Sequence, residues 1–150
     1  MTTILREIGT IARALDSIAN VEFKQHQLAR GQYLYLVRIA ERPGIIADQL
    51  SKLLKVDRAT VSRAVSKLAA QGLVIRQIDS QNQRLKHLYV TDLGRIRADL
   101  IERENRYSER VAQAGLSTSE QAQLKQLLGR VAKNVGADWE QVKAGMYRKY

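Results

Sequence analysis

The sequence predicts a mainly α-helical fold with one small β-hairpin, on three observations. Over most of the 150 residues, apolar side chains recur at every third or fourth position, which is the period of one face of a helix. Only between residues 73 and 90 does the apolar pattern alternate with a period of two, as it does in strands. The apolar fraction of 45% and this chain length suit an ordinary globular domain, so we expect residues 1–150 to form a single domain.

Four helices are expected before the hairpin, each bounded by a local signal. An apolar stripe at spacings of three and four marks the first helix, and Arg42-Pro43-Gly44 stops the second. Asp57 is an N-cap for the fourth helix, and Gly72 follows its end as the residue type best suited to a left-handed cap. The predicted spans are 4–18, about 25–40, 46–54 and 57–70.

The hairpin and further helical segments complete the chain. Two strands flank a polar, charged stretch at residues 79–84. Thr91 can cap the helix that follows, and Gly115 interrupts it. Ser117, with Glu120 three residues later, has the spacing of a capping box. The predicted spans are strands at 73–78 and 85–90, a helix at 92–114, a helix opened by Ser117, and a separate last segment at 139–150.

Positive charge is concentrated in the middle of the chain. The formal net charge is +10, and residues 43–96 hold nine basic against four acidic side chains, which is about half of that excess. Such a charge is either a general solubility surplus or the footprint of a polyanionic partner. Its concentration in the segment with the most distinctive pattern favours the second interpretation.

Residues 46–90 have the order helix, short turn, helix, hairpin, which is the layout of a winged helix-turn-helix. At 100° per residue, the second helix directs Val61, Val65 and Leu68 inward. Its outward face mixes small side chains with arginine, which permits close approach to the major groove and bidentate donation to guanine. The outward residues are Arg58, Ala59, Ser62, Arg63 and Ser66, with Thr60 and Lys67 on the flanks.

The alternative is that this face is the solvated surface of any amphipathic helix, and Arg58 and Arg63 alone favour it. The hairpin favours the DNA-binding interpretation, because Arg84 and Lys86 lie at its tip. A charged wing beside a recognition helix can reach the adjacent minor groove or the DNA backbone.

The sequence strongly resembles the MarR (multiple antibiotic resistance regulator) family of bacterial winged-helix transcription factors. The motifs that carry the resemblance are 50–63, Leu68, Gly72-Leu73-Val74, Arg76, Arg84, Leu88, Val90-Thr91 and Gly94. The resemblance implies an obligate homodimer on a pseudo-palindromic operator in double-stranded DNA, with Arg84 in the minor groove. The residues expected to contact DNA are Arg58, Ala59, Thr60, Ser62, Arg63, Ser66, Lys67, Arg76, Arg84 and Lys86.

The wing departs from the family pattern. The family commonly has Asp-Arg-Arg there, whereas this chain has Asn82-Gln83-Arg84. An aspartate would hold the wing arginine by a charge-assisted pair, and Asn82 offers only a neutral hydrogen bond. Asp79 is close enough in sequence to take that role.

The terminal helices are expected to form the dimer. We predict dimerisation helices within 1–42 and 116–150, a DNA-binding lobe at 43–96 and a linking helix at 92–114. The apolar stripes at the two ends exceed what a winged-helix core needs to cover it, so they require an intramolecular bundle or a second copy. A helical cap on a monomer is the alternative.

Many members of the family release DNA when a small aromatic or anionic effector binds. Arg13, His26, Tyr33, Tyr35 and Arg38 are the polar and aromatic residues near the corresponding position in this chain. Each also has an ordinary interpretation, because tyrosines at helical spacing are usually core residues and a lone histidine is usually a surface residue. Thiol-based sensing is excluded because the chain has no cysteine.

Other classes of function fit poorly. We expect no catalytic residue, cofactor or metal site: the chain lacks a glycine-rich phosphate loop and a recognisable catalytic set, and it has only two histidines, far apart. No apolar run approaches the roughly 20 residues of a membrane span. A winged helix used for protein contact or RNA binding remains the alternative, but Arg58, Arg63 and Arg84 together disfavour it. We therefore expect a cytoplasmic bacterial transcriptional regulator, and specifically a repressor.

Overall fold

The computed structural model describes residues 3–28 and 31–150. In those ranges the fold is mainly helical with one small sheet, as the sequence predicts. The elements are α1 (Ile4–Lys24), α2 (Gln32–Glu41), β1 (Ile45–Ile46), α3 (Ala47–Leu54), α4 (Arg58–Ala70), β2 (Val74–Ile78), β3 (Lys86–Val90), α5 (Asp92–Ala112) and α6 (Thr118–Lys143).

The chain divides into two compact units, Met1–Ser108 and Glu109–Tyr150, and the boundary falls inside α5. The first unit contains the hydrophobic core, which is formed by the end of α1, by α2, α3 and α4, by the sheet and by the first half of α5. Core side chains with no exposed surface are those of Leu36, Ile39, Leu50, Val61, Leu68 and Ala98.

The sheet is antiparallel with the strand order β1-β3-β2. In the wing, Val74 pairs with Val90 and Ile78 with Lys86, which confirms the predicted hairpin. On the other edge, Ile45 pairs with Leu88. β1 was not predicted, because a strand of two residues has no alternating pattern and Ile46 was assigned to the start of the helix predicted at 46–54.

Three predicted helix boundaries are wrong. The first helix, predicted at 4–18, continues to Lys24. The helix predicted from about residue 25 begins at Gln32, since α1 continues to Lys24 and the chain then turns at Gln27, whose φ is +58°. Ala29 and Arg30, which that prediction also covered, lie outside the described residues. The segment predicted to be separate from Trp139 onward begins inside α6, which runs unbroken to Lys143; Gly145, with φ +93°, follows the end of the helix.

Local capping signals are confirmed where the sequence contains them. The Asp57 carboxylate accepts from the backbone N–H of Thr60 at 2.8 Å at the start of α4. Gly72 follows the end of that helix with φ +73°. Ser117 and Glu120 form the reciprocal capping box of α6, with bonds of 3.2 and 2.8 Å.

The root of the wing is a close-packed junction between α4, the hairpin and α5. The Thr91 hydroxyl donates to the Gly72 carbonyl at 2.6 Å and accepts from the Gly94 N–H at 3.0 Å. The Thr91 N–H donates to the Leu73 carbonyl at 3.0 Å. Gly94 is buried against this carbonyl: a Cβ at position 94 would lie 2.0 Å from the Leu73 oxygen. A side chain therefore does not fit there.

Two helices, each in its own unit, leave apolar faces uncovered within one chain. In α1 only Ala19 and Phe23 are buried, and in α6 only Gly136. The exposed apolar residues of α1 are Ile4, Leu5, Ile11, Leu15, Ile18 and Val21, and those of α6 include Leu124, Leu127, Leu128, Val135 and Val142. Faces of this size on a protein surface are typical of interaction sites.

Within residues 3–28 and 31–150, none of the helices combines the length and apolar character that crossing a bilayer requires. In the same ranges, no three potential metal-ligating side chains lie together.

Candidate nucleic-acid interface

The turn between α3 and α4 is closed by a buried serine that the sequence analysis did not single out. The hydroxyl of Ser51 donates to the Val56 carbonyl at 2.6 Å, and the Val56 N–H donates back to the Ser51 carbonyl at 3.2 Å. Ser51 has no exposed surface. Lys55 makes the turn itself, with φ +57°. These contacts fix the angle at which α4 leaves α3.

The predicted orientation of α4 is confirmed. Val61, Val65 and Leu68 are buried in the core. The residues of the predicted outward face are exposed, apart from Thr60, which is half-buried; the exposed ones are Arg58, Ala59, Ser62, Arg63, Ser66 and Lys67. One helix thus presents small side chains and cations together, while its other side anchors it.

A chain of hydrogen bonds runs along the exposed face of α4. The Thr60 hydroxyl donates to one Asp57 carboxylate oxygen at 2.6 Å, and the Arg63 guanidinium donates to the Thr60 hydroxyl at 3.2 Å. The bond from the Thr60 hydroxyl, followed by the bond from the Thr60 N–H, lowers the pKa of the Asp57 carboxyl. The Asp57 carboxylate therefore holds Thr60, and Thr60 directs the guanidinium of Arg63.

Two other basic side chains of the predicted interface contact neighbours. Arg76, on β2, donates to the Ser66 hydroxyl at 2.8 Å and so lies beside α4. Arg58 lies 3.9 Å from Asp48, an acid that the sequence analysis did not single out and that also pairs with Lys52 at 3.1 Å. The Arg58 side chain is 70% exposed, so this pair restrains it weakly.

The wing presents Arg84 in its loop and Lys86 as the first residue of β3, both exposed. Lys86 is therefore at the start of the strand and not at the tip of the hairpin, where it was predicted. The Asn82 side-chain oxygen accepts from the backbone N–H of Arg84 at 3.1 Å. The neutral hydrogen bond predicted for Asn82 thus holds the backbone of Arg84.

The prediction that Asp79 pairs with Arg84 is wrong. One Asp79 oxygen accepts from the N–H groups of Gln81 and Asn82, each at 2.9 Å, and the other lies 2.8 Å from Nε2 of His87. The carboxylate is occupied by the loop backbone and by a residue of β3, so it is not available to the arginine. In the described part of the chain, the Arg84 guanidinium has no carboxylate partner.

His87 is the residue of the wing that the sequence analysis missed. Its Nδ1 lies 2.8 Å from the Gly44 carbonyl oxygen, on the loop before β1. The hydrogen bond to Asp79, and then the bond to Gly44, raise the pKa of the His87 imidazole. The bond with His87 is also the main cause that lowers the pKa of the Asp79 carboxyl. The only signal in the sequence is an acid and a histidine on opposite sides of a short loop.

Of the candidate effector residues, Arg13 and Tyr33 have partners on α1. The Tyr33 hydroxyl donates to Asp16 at 2.8 Å, and its ring packs on Phe23 with 5.3 Å between centroids. Arg13, one turn before Asp16, donates to the Thr10 hydroxyl at 3.3 Å. Both residues therefore contribute to one stretch of surface along α1.

The other three effector candidates are held by different neighbours. Tyr35 is buried, and this burial raises the pKa of its phenol. Arg38 pairs with Glu41 at 2.8 Å. His26 Nδ1 lies 3.3 Å from the guanidinium of Arg97. Effector contact by any of the five stays a prediction.

The comparisons with known sequences point to one family. A sequence profile of the MarR family matches residues 28–86. An HTH-type transcriptional regulator of Bacillus subtilis strain 168, YybA, is 51% identical over 150 residues, which is the whole of both chains.

Solved structures agree over the whole fold. The transcriptional regulator SlyA is 53% identical, with a TM-score of 0.91 over 94% of this chain and 99% of that one. A MarR family transcriptional regulator from Listeria monocytogenes, crystallised with a 26mer DNA, is 47% identical, with a TM-score of 0.96 over all of both chains. The chain therefore belongs to the MarR family of transcriptional regulators, which are DNA-binding proteins and not enzymes.

Proposed function

We propose that this regulator binds operator DNA as a homodimer in the bacterial cytoplasm, with α4 in the major groove and the wing beside the minor groove, and that it represses transcription there. The observation that carries the proposal is the exposed face of α4, where small side chains lie next to an arginine already directed by hydrogen bonds. The residues proposed to contact DNA are the ten predicted above, from Arg58 to Lys86.

Each part of this surface has a distinct task. Ala59 and Ser62 are small enough for the helix to approach base edges, and Arg63 can then donate to guanine. Because Thr60 already directs the Arg63 guanidinium, less rotamer freedom is lost when it binds. The Arg84 side chain is exposed and forms no ion pair with a carboxylate of the described residues, so it is available to insert into a minor groove.

The proposed dimer uses the uncovered apolar faces of α1 and α6. A second copy would cover these exposed stripes and would place two recognition helices about 34 Å apart, which is one turn of DNA. It would also double the net charge of +10. A dimer so charged binds any duplex in a strongly salt-dependent way, so sequence discrimination has to come from the few side chains of α4 and the wing.

Selection of bound sequences from a random DNA pool tests the proposal. The expected result is a consensus with two-fold symmetry and half-sites separated by one helical turn. Enrichment of an asymmetric or single half-site would contradict the dimer, and no enrichment at all would contradict sequence-specific binding.

Two substitutions separate base reading from phosphate contact. We expect Arg63→Ala to weaken operator binding by about 1 to 3 kcal/mol and to relax base preference, with a smaller effect on random duplex. Lys86→Ala should weaken both duplexes alike and reduce the salt slope by about one unit. The control is Arg130→Ala, which removes an exposed arginine from α6. Equal losses on operator and random duplex for Arg63→Ala would refute its base-reading role.

A further inference from the structure

The geometry around His87 selects one protonation state of its ring. Both ring nitrogens lie 2.8 Å from an oxygen, one from the Gly44 carbonyl and the other from the Asp79 carboxylate. Neither oxygen carries a proton to donate, and a neutral imidazole has only one N–H. Both contacts are therefore hydrogen bonds only when the ring is an imidazolium, which makes the contact to Asp79 an ion pair.

Asp79 connects this ion pair to the loop that carries Arg84. Its other oxygen accepts from the N–H groups of Gln81 and Asn82, and Asn82 in turn accepts from the N–H of Arg84. The Asp79 N–H also closes the base of the loop on the Leu85 carbonyl, at 3.0 Å. The conformation of the loop backbone up to Arg84 thus depends on how the Asp79 carboxylate is held.

The carboxylate of Asp79 is the charge that acts on His87. The cross-strand neighbours on the same face of the sheet, Ile46 and Gln77, are uncharged, and Tyr89 contributes only a phenol. The charged side chains of β2 and β3 alternate to the opposite face. These charged residues are Arg76 and Lys86. On the helices packed against β3, the charged residues pair with each other, Arg38 with Glu41 and Lys52 with Asp48.

We propose that Asp79 and His87 are positioning residues for Arg84, which hold the wing loop in its DNA-contacting conformation only while His87 keeps its proton. The inference rests on the proposed function, since it concerns how the wing reaches DNA. The pair acts on the loop backbone and not on the guanidinium of Arg84.

The sign of the pH dependence follows from the two partners. The pKa of His87 is raised above its ordinary value of 6.5, and that of Asp79 is lowered below 3.8. The pair is therefore complete between these limits and is lost as pH rises through the raised imidazole pKa. Wing contact should be strongest in mildly acidic solution and should weaken towards alkaline pH.

The first test needs no DNA. In the full-length protein, NMR should show His87 titrating above 6.5, with the amide signals of Gln81 and Asn82 following the same midpoint. In Asp79→Asn the midpoint of His87 should fall. His87 titrating at its ordinary value, or loop amides that do not follow it, would overturn the proposal.

The second test measures binding of a fluorescent duplex by anisotropy between about pH 5.5 and about pH 8.5. Asp79→Asn removes a negative charge from the DNA-facing wing, so charge alone predicts tighter binding. Positioning predicts binding roughly three- to tenfold weaker in mildly acidic solution. Tighter binding by Asp79→Asn would overturn the proposal.

Two further comparisons show whether the effect acts through Arg84. In an Arg84→Ala background, Asp79→Asn should cause no further loss; the same loss in both backgrounds would overturn the proposal. The decline in affinity with rising pH should disappear in His87→Gln and persist in His26→Gln, which removes the other histidine of the chain. A protein that binds no duplex at any pH would overturn the proposed function and this inference together. Tight binding by the natural protein, with an unchanged affinity in Asp79→Asn, would overturn this inference alone.

Discussion

Replacing Gly94 by alanine should destabilise the first unit severely. Gly94 is buried at the start of α5, and an added Cβ would lie 2.0 Å from the Leu73 carbonyl oxygen and 3.2 Å from Cβ of Val90. The methyl group must move away from that oxygen by more than about 1 Å before an ordinary contact is restored. The obstacle is backbone, which cannot rotate away as the end of a flexible side chain would.

The expected magnitude is about 3 kcal/mol. Overpacking typically costs about 1 to 3 kcal/mol, and contact with fixed backbone belongs at the upper end of that range. Separating α5 from Leu73 also strains the bond from the Thr91 N–H to the Leu73 carbonyl, which adds about 0.5 to 1.5 kcal/mol. Alanine is the better helix former by about 1 kcal/mol, and this gain offsets part of the cost.

Urea unfolding followed by circular dichroism, at one fixed protein concentration, measures the effect. We expect the midpoint to fall by roughly 1.5 M. The matched control is Gly129→Ala, another glycine inside a helix, where a Cβ meets no atom within 4 Å. This control should gain up to about 1 kcal/mol from helix propensity. A Gly94→Ala protein as stable as the control would refute the packing argument.

Three further predictions concern the caps and the exposed faces. Ser117→Ala should cost about 1 kcal/mol in thermal unfolding, because it removes the N-cap of α6, and an unchanged transition would contradict this role. The pKa of Asp57 is lowered chiefly by the Thr60 hydroxyl, so its stabilising contribution is present above pH 3.8 and disappears as pH falls through the lowered value. Asp57→Asn should therefore reduce the loss of unfolding free energy that the unsubstituted protein shows in acidic solution. The same dependence of unfolding free energy on pH in both proteins would exclude the contribution of Asp57. Leu15→Asp and Leu127→Asp should each reduce the mass found by sedimentation to that of one chain, and an unchanged mass in both would contradict the proposed dimer.

Features that depend on sequence neighbours were predictable. The caps at Asp57 and Ser117 each bond to an N–H three residues away, so their spacing in the sequence is already their geometry. The face that α4 buries follows from its apolar period, which is why the inward residues were correct. Prediction of these elements needed no knowledge of the rest of the fold.

Features that depend on distant residues were not predictable. β1 is a strand only because Ile45 meets Leu88, far along the chain. His87 is held by a carbonyl 43 residues away, and its bond to Asp79 crosses the wing loop. Ser51 is a polar residue within the helix predicted at 46–54, and its burial in the turn follows from the packing of α3 on α4. The tertiary contacts of these residues leave no local pattern.

The hydrogen bonds at Thr91 make the wing a segment closed at its base. The Thr91 hydroxyl connects Gly72, just past the end of α4, to Gly94 in the first turn of α5. The hairpin between these two residues is therefore joined to the core through a fixed pair of ends. Insertions, deletions or changes of charge at the wing tip therefore leave the register of the two helices unaltered, and a longer loop adds little entropic cost once its ends are fixed. The wing tip can therefore change in length or charge without moving α4, the helix proposed to enter the groove, or α5, the helix that follows the wing.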